Sequence, residues 1–231
     1  MCGRYALTAS RAEILKQFNV VRDLTAQEQL FERYNIAPGQ KVAAVRRAFD
    51  KVRELVALRW GLIPRWAEEA KVEYSTINAR AETVAEKPAF RLAFRQRRCL
   101  IPATGFYEWQ SRPGTKLKQP WYIQRRDGQV FAFAGLWERW EPRPGKEGEP
   151  VESCTILVTD ANELLRPIHG RMPVILDPAD YALWLDPNSD LKALRALFRP
   201  YATELAAWKV STRVNHPRND DPACLQPVVY D

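Results

Sequence analysis

The sequence predicts an α+β protein, with a mostly antiparallel, sheet- or barrel-like core and peripheral helices, folded as a single domain over residues 1–231. Three observations carry this expectation. β-Branched and aromatic runs recur in hairpin-like pairs, helical stretches are short and few, and strands do not alternate regularly with helices as a parallel sheet requires. With 231 residues, 46% hydrophobic and 27% charged, the chain has the length and balance to bury a core of its own.

Taken in chain order, Ser10 followed by Glu13 reads as a capping box, and Ile14, Leu15 and Phe18 then fall at helical spacing, predicting a helix over 11–18. Asn35-Ile36-Ala37-Pro38-Gly39 breaks the chain before strands at 42–45 and 52–60. Pro88 is expected to open a helix through Phe90 and Phe94 to the basic run Arg95, Arg97, Arg98. Strands follow at 99–103 and 105–110. Segments 121–126 and 129–137 flank Asp127-Gly128, a dipeptide that favours positive φ, and are expected to pair as a hairpin. Residues 141–150, rich in Pro, Gly and charge, read as an exposed loop before a strand at 154–159. Beyond a strand-like stretch at 172–176, Asp177 and Pro178 start one helix, and Asp190 starts another that runs to Pro200.

Composition excludes several classes. Mean hydropathy is −0.41, and the longest uncharged run, 128–137, is ten residues, against the roughly 20 that a membrane-spanning helix needs. Arg11 and Glu13 interrupt the amino-terminal region before a signal sequence could form, and Gly3 is one position too late for myristoylation. A cytoplasmic location is expected, nucleoid-associated in a bacterium. Cysteines at 2, 99, 154 and 224 are too widely spaced for a disulfide framework or a zinc site, and only two histidines are present. No cofactor and no metal is expected. Three of the thiols lie in apolar segments and read as buried and inert, leaving Cys2 as the exception.

The net charge is +7 and the pI about 9.3, with arginine far outnumbering lysine. A guanidinium fork suits phosphate oxygens and its plane stacks on rings, and eight tryptophans accompany it. Charge alone is equally the mark of a solvated surface.

Loss of Met1 would make Cys2 the first residue, carrying a thiol and a free α-amine side by side. An α-amine with a pKa of about 7.7–8.0 is partly neutral near pH 7 and can attack an aldehyde. The adjacent thiol can then close on the imine to give a five-membered thiazolidine. The competing chemistry for such a cysteine is thiolate attack on an acyl carbon, as in peptidases.

Seven blocks in order place this chemistry in context: Met1-Cys2-Gly3-Arg4-Tyr5, Tyr34-Asn35-Ile36-Ala37-Pro38, Trp60-Gly61-Leu62-Ile63-Pro64-Arg65-Trp66, Ile77-Asn78-Ala79-Arg80-Ala81-Glu82-Thr83, Gly105-Phe106-Tyr107-Glu108-Trp109, Ile168-His169-Gly170-Arg171-Met172-Pro173-Val174-Ile175-Leu176, and Val210-Ser211-Thr212-Arg213-Val214-Asn215. Together they resemble the SRAP family, the SOS-response-associated peptidases or abasic-site processing proteins, over nearly the whole chain. The resemblance implies a monomer that binds abasic sites in single-stranded DNA and links its N-terminal cysteine to the ring-opened deoxyribose, shielding the lesion. It further implies Cys2 as nucleophile, Asn78 as the group that orients its amine, Glu108 as proton shuttle and His169 as promoter of ring opening. Arg4, Arg80 and Arg171 would contact phosphates, with Pro38 and Trp66 stacking or wedging against bases. A lyase step, reversal through the imine, and autolytic removal of Met1 come with the same resemblance.

The chemistry asks for these residue types independently. An abasic sugar is mainly a closed hemiacetal, so a histidine near neutrality is suited to move a proton at the ring oxygen. A carboxylic acid of raised pKa is suited to protonate the departing hydroxyl. Taken singly, Glu108 reads as a strand carboxylate facing solvent or an arginine, His169 as a loop residue, Asn78 as a turn residue, and Trp66 as core. Their co-occurrence with Cys2 is what points to a site. A cysteine peptidase and a non-catalytic single-strand-binding module remain the alternatives at this level.

Overall fold

The computed structural model describes residues 2–71, 76–145, 147–202 and 204–228. Its first half comprises β1 (Tyr5–Leu7), α1 (Arg11–Gln17), β2 (Arg22–Asp23), β3 (Arg33–Ile36), β4 (Lys41–Arg47), β5 (Arg53–Trp60), β6 (Asn78–Arg80) and α2 (Arg91–Gln96). The second half comprises β7 (Arg98–Ala103), β8 (Gly105–Ser111), β9 (Lys118–Arg125), β10 (Phe131–Trp140), β11 (Val151–Asp160), β12 (Arg171–Pro173), β13 (Ile175–Leu176), α3 (Tyr181–Leu185), α4 (Leu191–Ala196) and β14 (Leu205–Lys209). The α+β expectation holds.

Two sheets form the core. In the larger, β5, β4, β7, β10 and β11 pair in that order, antiparallel throughout, and a parallel pairing of β11 to β5 at Ser153↔Arg59 and Cys154↔Trp60 closes them into a barrel. β6 runs parallel to β11 at Ile156↔Asn78, and β12 runs antiparallel to it at Asp160↔Arg171. β11 therefore carries the segments of Asn78 and His169 together. The smaller sheet has the order β14-β9-β8-β1-β3. Tyr5 packs edge-on against Trp60 and Phe133 at centroid distances of 5.4 and 5.6 Å, and Phe106 meets Phe133 at 6.1 Å, so this sheet lies with one face on the barrel.

The alternation along β8 sorts its side chains between two faces. Phe106 joins the main core, whereas Tyr107 joins a second cluster with Ala6, Tyr122, Val210 and Val214, against which Trp109 packs. Glu108, two residues after Phe106, shares the barrel-facing side. Gly105 is required where it stands. A Cβ there would lie 2.3 Å from the Tyr122 ring and 2.7 Å from the Ile123 carbonyl oxygen.

Local chemistry predicts several elements closely. The capping box at α1 is complete: Ser10 accepts from the Glu13 backbone N–H, and the Glu13 carboxylate accepts from the Ser10 backbone N–H at 2.7 Å. Asp190 caps α4 through the Ala193 N–H, and the helix closes at Ala196, short of Pro200.

Four expectations need correction. The strands on either side of Asp127-Gly128 do not pair: β9 lies between β8 and β14, and β10 belongs to the barrel. The turn exists, with Gly128 at φ +69° and its N–H donating to the Arg125 carbonyl. Its exits, however, are pulled apart. Arg126 N–H donates to the Glu204 carbonyl, while Gln17 from α1 holds the Val130 carbonyl at 2.7 Å and Val130 enters the core. The barrel hairpin is instead β10–β11, with Trp140↔Val151 bracketing the exposed 141–150 loop, of which Lys146 lies outside the described residues.

Second, α2 begins at Arg91 rather than Pro88 and ends at Gln96, and Arg98 is the first residue of β7. Its guanidinium turns back to donate to the carbonyls of Phe94, Arg95, Trp184 and Asp186, covering the ends of α2 and α3. Third, 172–176 divides at Val174, whose N–H bonds Leu157 on one side and whose carbonyl accepts from Ala134 on the other. Fourth, Asp177 makes no side-chain cap, and Pro178–Asp180 is a 3₁₀ turn leading into α3.

Candidate functional site

Cys2 is fully buried, its Sγ 3.9 Å from the Arg4 carbonyl oxygen. Burial, and then the neighbouring Glu108 carboxylate, push its thiol far above the ordinary range. The group is a neutral thiol at rest. Burial likewise accounts for Cys99 and Cys154, as the sequence predicts for apolar-segment thiols, and Cys224 is buried too.

Glu108 is 2% exposed, on the barrel-facing side of β8. Burial raises its carboxyl to about 7, so it exchanges a proton at neutral pH. His169 Nδ1 lies 4.0 Å from Glu108 Oε2. Burial lowers the His169 pKa below its ordinary value, making the neutral ring the dominant form at pH 7. His169 Nδ1 lies 3.1 Å from the Arg171 backbone N–H and 3.2 Å from the Arg171 carbonyl oxygen, so it is placed to accept from the one or donate to the other. Lys118, at the start of β9, bears electrostatically on both Glu108 and His169.

Asn78 opens β6 and is 7% exposed. Its Nδ2 donates to the Ile156 carbonyl at 3.4 Å, whereas its Oδ1 is buried with no hydrogen-bond partner among the described residues. An orphan acceptor of this kind costs about 1–3 kcal/mol, which marks it as a group kept for a donor. Cys2, Glu108 and His169 thus gather at the margin where the small sheet meets the barrel, and β11 ties the strand of Asn78 to the loop of His169.

The five residues assigned to DNA divide. Trp66 is 63% exposed, so core packing does not explain it; it borders a groove of about 440 Å³ with Leu62, Pro64, Lys71 and Ala89. Pro38 sits half-exposed in a tight turn with Gly39 at φ +86°. Arg80 is exposed and forms no ion pair among the described residues. Arg4 and Arg171, by contrast, are turned inward. Arg4 Nη1 donates to Asn35 Oδ1 at 2.9 Å and to the Val214 carbonyl at 2.8 Å, with its guanidinium 5.9 Å from the Trp109 ring centre. Arg171 bridges Glu82 and Asp160.

The sequence reading missed the residues that hold this frame. Asp220 accepts from the backbone N–H groups of Tyr34 and Asn35 at 2.5 and 2.8 Å and pairs with Arg33. Asn35 donates to the carbonyls of Val214, His216 and Asn219. The C-terminal segment is thereby latched to β3 and, through Arg4, to the strand that presents Cys2. Asn35 and Glu82 stand inside two of the seven sequence blocks, which was the available signal; Asp220 lies outside them and left none.

Among the described residues, no group of three or more His, Cys, Asp or Glu side chains is placed to hold a metal ion. No helix among them is long and apolar enough to cross a membrane.

Residues 1–217 match the family described as SOS response associated peptidase (SRAP). The chain is 43% identical over 228 residues to "Abasic site processing protein YoqW" of Bacillus subtilis, covering 98% of this chain and 99% of that protein. It is 34% identical over 269 residues to "Abasic site processing protein HMCES" of Gallus gallus, covering 99% of this chain and 78% of that protein. A crystal structure of a Bacteroides thetaiotaomicron protein superposes with a TM-score of 0.88 at 28% identity, covering 99% and 100% of the two chains.

Proposed function

The chain belongs to the SOS response associated peptidase (SRAP) family, and from that premise we propose that it processes abasic sites in single-stranded DNA, acting as a monomer and joining Cys2 covalently to the opened sugar. The observation that carries the reading is Glu108: a carboxyl 2% exposed, raised to about 7, beside both the Cys2 thiol and the His169 ring.

Hydrolytic removal of Met1 frees the Cys2 α-amine. The neutral His169 ring takes the C1′ hydroxyl proton, and the imidazolium so formed gives a proton to the sugar ring oxygen, which opens the hemiacetal to an aldehyde and a 4′-hydroxyl and leaves the ring neutral again. The neutral amine adds to C1′ while Asn78 Oδ1 accepts an amine N–H and fixes the direction of attack. Protonated Glu108 gives its proton to the carbinolamine hydroxyl, which leaves as water and produces an iminium. The carboxylate then takes the Cys2 Sγ proton as sulfur bonds to C1′. The product is a neutral thiazolidine, Glu108 is again protonated, and one water has been lost overall. β-Elimination from the imine, the lyase outcome, competes only until the thiol closes.

A buried thiol with a strongly raised pKa supports this order of events, amine first and thiol second, over attack by a standing thiolate. Trp66 and Pro38 are suited to stack against bases flanking the lesion, a contact worth about 1–3 kcal/mol per base that needs no base identity.

The test is to mix the protein with a single-stranded oligonucleotide carrying one abasic site. A denaturation-resistant band is expected, with an intact mass equal to the Met1-less protein plus DNA minus one water, and it is lost in Cys2→Ala. Absence of the band from protein verified to begin at Cys2 would overturn the proposal.

A further inference from the structure

Glu108 and His169 come from different parts of the fold, Glu108 from β8 in the small sheet and His169 from the connection between β11 and β12. Their side chains, 4.0 Å apart, keep that spacing only if the connection is held against β8. On the barrel side its path is fixed. The Ala161 N–H donates to the Gly170 carbonyl at 3.1 Å, extending the β11–β12 pairing at Asp160↔Arg171 by one step. Asn162 donates to the Tyr201 carbonyl and accepts from the Leu165 N–H. Leu165 is fully buried, and the N–H groups of Ile168 and His169 both donate to its carbonyl at 2.8 Å.

On the side of the small sheet the tie is Gln110. It stands two residues beyond Glu108, about 7 Å further along the same face of β8. Its Nε2 donates to the carbonyl of Pro167, two residues before His169, at 3.0 Å, and its Oε1 accepts from Trp121 Nε1 at 3.1 Å. Trp121 is the register partner of Glu108 across β8 and β9, so its indole reaches Gln110 along the diagonal of the ladder. Chemistry fixes the orientation of the amide. An indole N–H only donates and a peptide carbonyl only accepts, so the amide oxygen faces Trp121 and the nitrogen faces Pro167. A carboxylate at this position would keep the first bond and lose the second, and a thioether of similar length would lose both.

Building on the site reading above, we infer that Gln110 is a positioning residue: its side-chain amide, oriented by Trp121, ties segment 167–169 to the strand of Glu108 and sets the spacing of the two proton-transfer groups. In this role it acts through His169 rather than on the sugar. The bond to Pro167 is exposed, so water replaces it when it is removed and the fold stands. What is lost is the fixed approach of His169 to Glu108.

The experiment compares Gln110→Met and Gln110→Glu with the wild type. Both variants should melt within about 4 °C of it. Affinity for a strand bearing a tetrahydrofuran analogue, which cannot form an imine, should change by less than about twofold in Gln110→Met, as binding that is not specific to the transition state is kept. The single-turnover rate of crosslinking at a saturating abasic strand should fall roughly tenfold to a hundredfold in both variants, the penalty of a slightly misplaced catalytic group. NMR reads the spacing separately. With only two histidines in the chain, the His169 ring signals are assignable, and Glu108→Gln should shift them at pH 8, where the natural carboxyl is mostly ionised. In a Gln110→Met background the same change should shift them by no more than about half as much, the mark of two groups whose coupling has weakened. A wild-type crosslinking rate in Gln110→Glu overturns the inference, since an ionised carboxylate cannot donate to Pro167. An equal shift of the His169 signals in the two backgrounds also overturns it. So does a rate loss in Gln110→Met matched by an equal loss of affinity for the tetrahydrofuran strand, which would make Gln110 a DNA contact. The NMR comparison involves no covalent product, so failure of the wild type to crosslink would count against the covalent reading and leave the His169 shifts to judge the tie.

Discussion

A carboxylic acid buried to 2% exposure with a pKa of about 7 is a liability for folding. In the unfolded chain Glu108 ionises near its ordinary 4.5, so as pH rises from there to about 7 the unfolded state releases a proton that the native state keeps. The stability associated with the neutral carboxyl is complete below the unfolded pKa and is lost as pH climbs to the folded one. At about 1.4 kcal/mol per pKa unit, the loss approaches roughly 3 kcal/mol at pH 8. Glu108→Gln should therefore melt above the wild type at pH 8 and with it at pH 4, while crosslinking more slowly at both. A melting temperature unchanged at pH 8 would mean that the native carboxyl is not raised. The rate carries the matching signature: in the wild type, crosslinking that needs both a protonated Glu108 and a neutral Cys2 amine passes through a maximum and falls on the alkaline side, and the glutamine variant lacks that falling limb.

At the scale of elements, one guanidinium decides how two helices end. Arg98 donates to four carbonyls at the close of α2 and α3, and burial draws its pKa down to about 10. Arg98→Met strands those oxygens in the interior and is expected to cost about 3 kcal/mol, read as a lower urea midpoint with an unaltered crosslinking rate per folded molecule; a midpoint equal to the wild type refutes it. The sequence placed Arg98 in the basic run closing α2, because nothing local distinguishes a helix-end arginine from a strand arginine folded back onto that helix. Where a signal is local, it was readable. The Ser10–Glu13 capping box and the strands at 42–45, 52–60, 99–103 and 154–159 depend on neighbours a few residues away. Where it is long-range, it was not. Asp127-Gly128 announces a turn, but Gln17 and Glu204 decide that its strands part into different sheets. The residue types of the site were legible through Cys2, Asn78, Glu108 and His169; the burial of the Cys2 thiol and the inward commitment of Arg171 required the two sheets to come together.

The whole molecule carries +7, yet much of its arginine is held in ion pairs at the surface, such as Arg22–Asp50, Arg139–Glu141 and Arg213–Asp221. Exposed pairs of this kind contribute little to stability, and they cancel charge that would otherwise attract a strand. Arg65 and Arg80 are exposed and form no ion pair among the described residues; one stands beside Trp66 and the other two positions after Asn78. If DNA follows the margin between barrel and sheet, those two cations meet its phosphates, and each should contribute about 0.7 to the slope of log K against log salt, the value for one phosphate on a single strand. Arg65→Ala and Arg80→Ala should each flatten the slope by that amount and weaken binding equally across sequences. Arg126, paired with Glu204 at the end of β9 opposite Lys118, supplies the control, and Arg126→Ala should leave the slope alone. Titrations at several salt concentrations with the tetrahydrofuran strand measure all three. Equal slopes for wild type, Arg65→Ala and Arg80→Ala would place the strand elsewhere, whereas flattening by Arg126→Ala as well would show that net charge, rather than a defined track, governs binding.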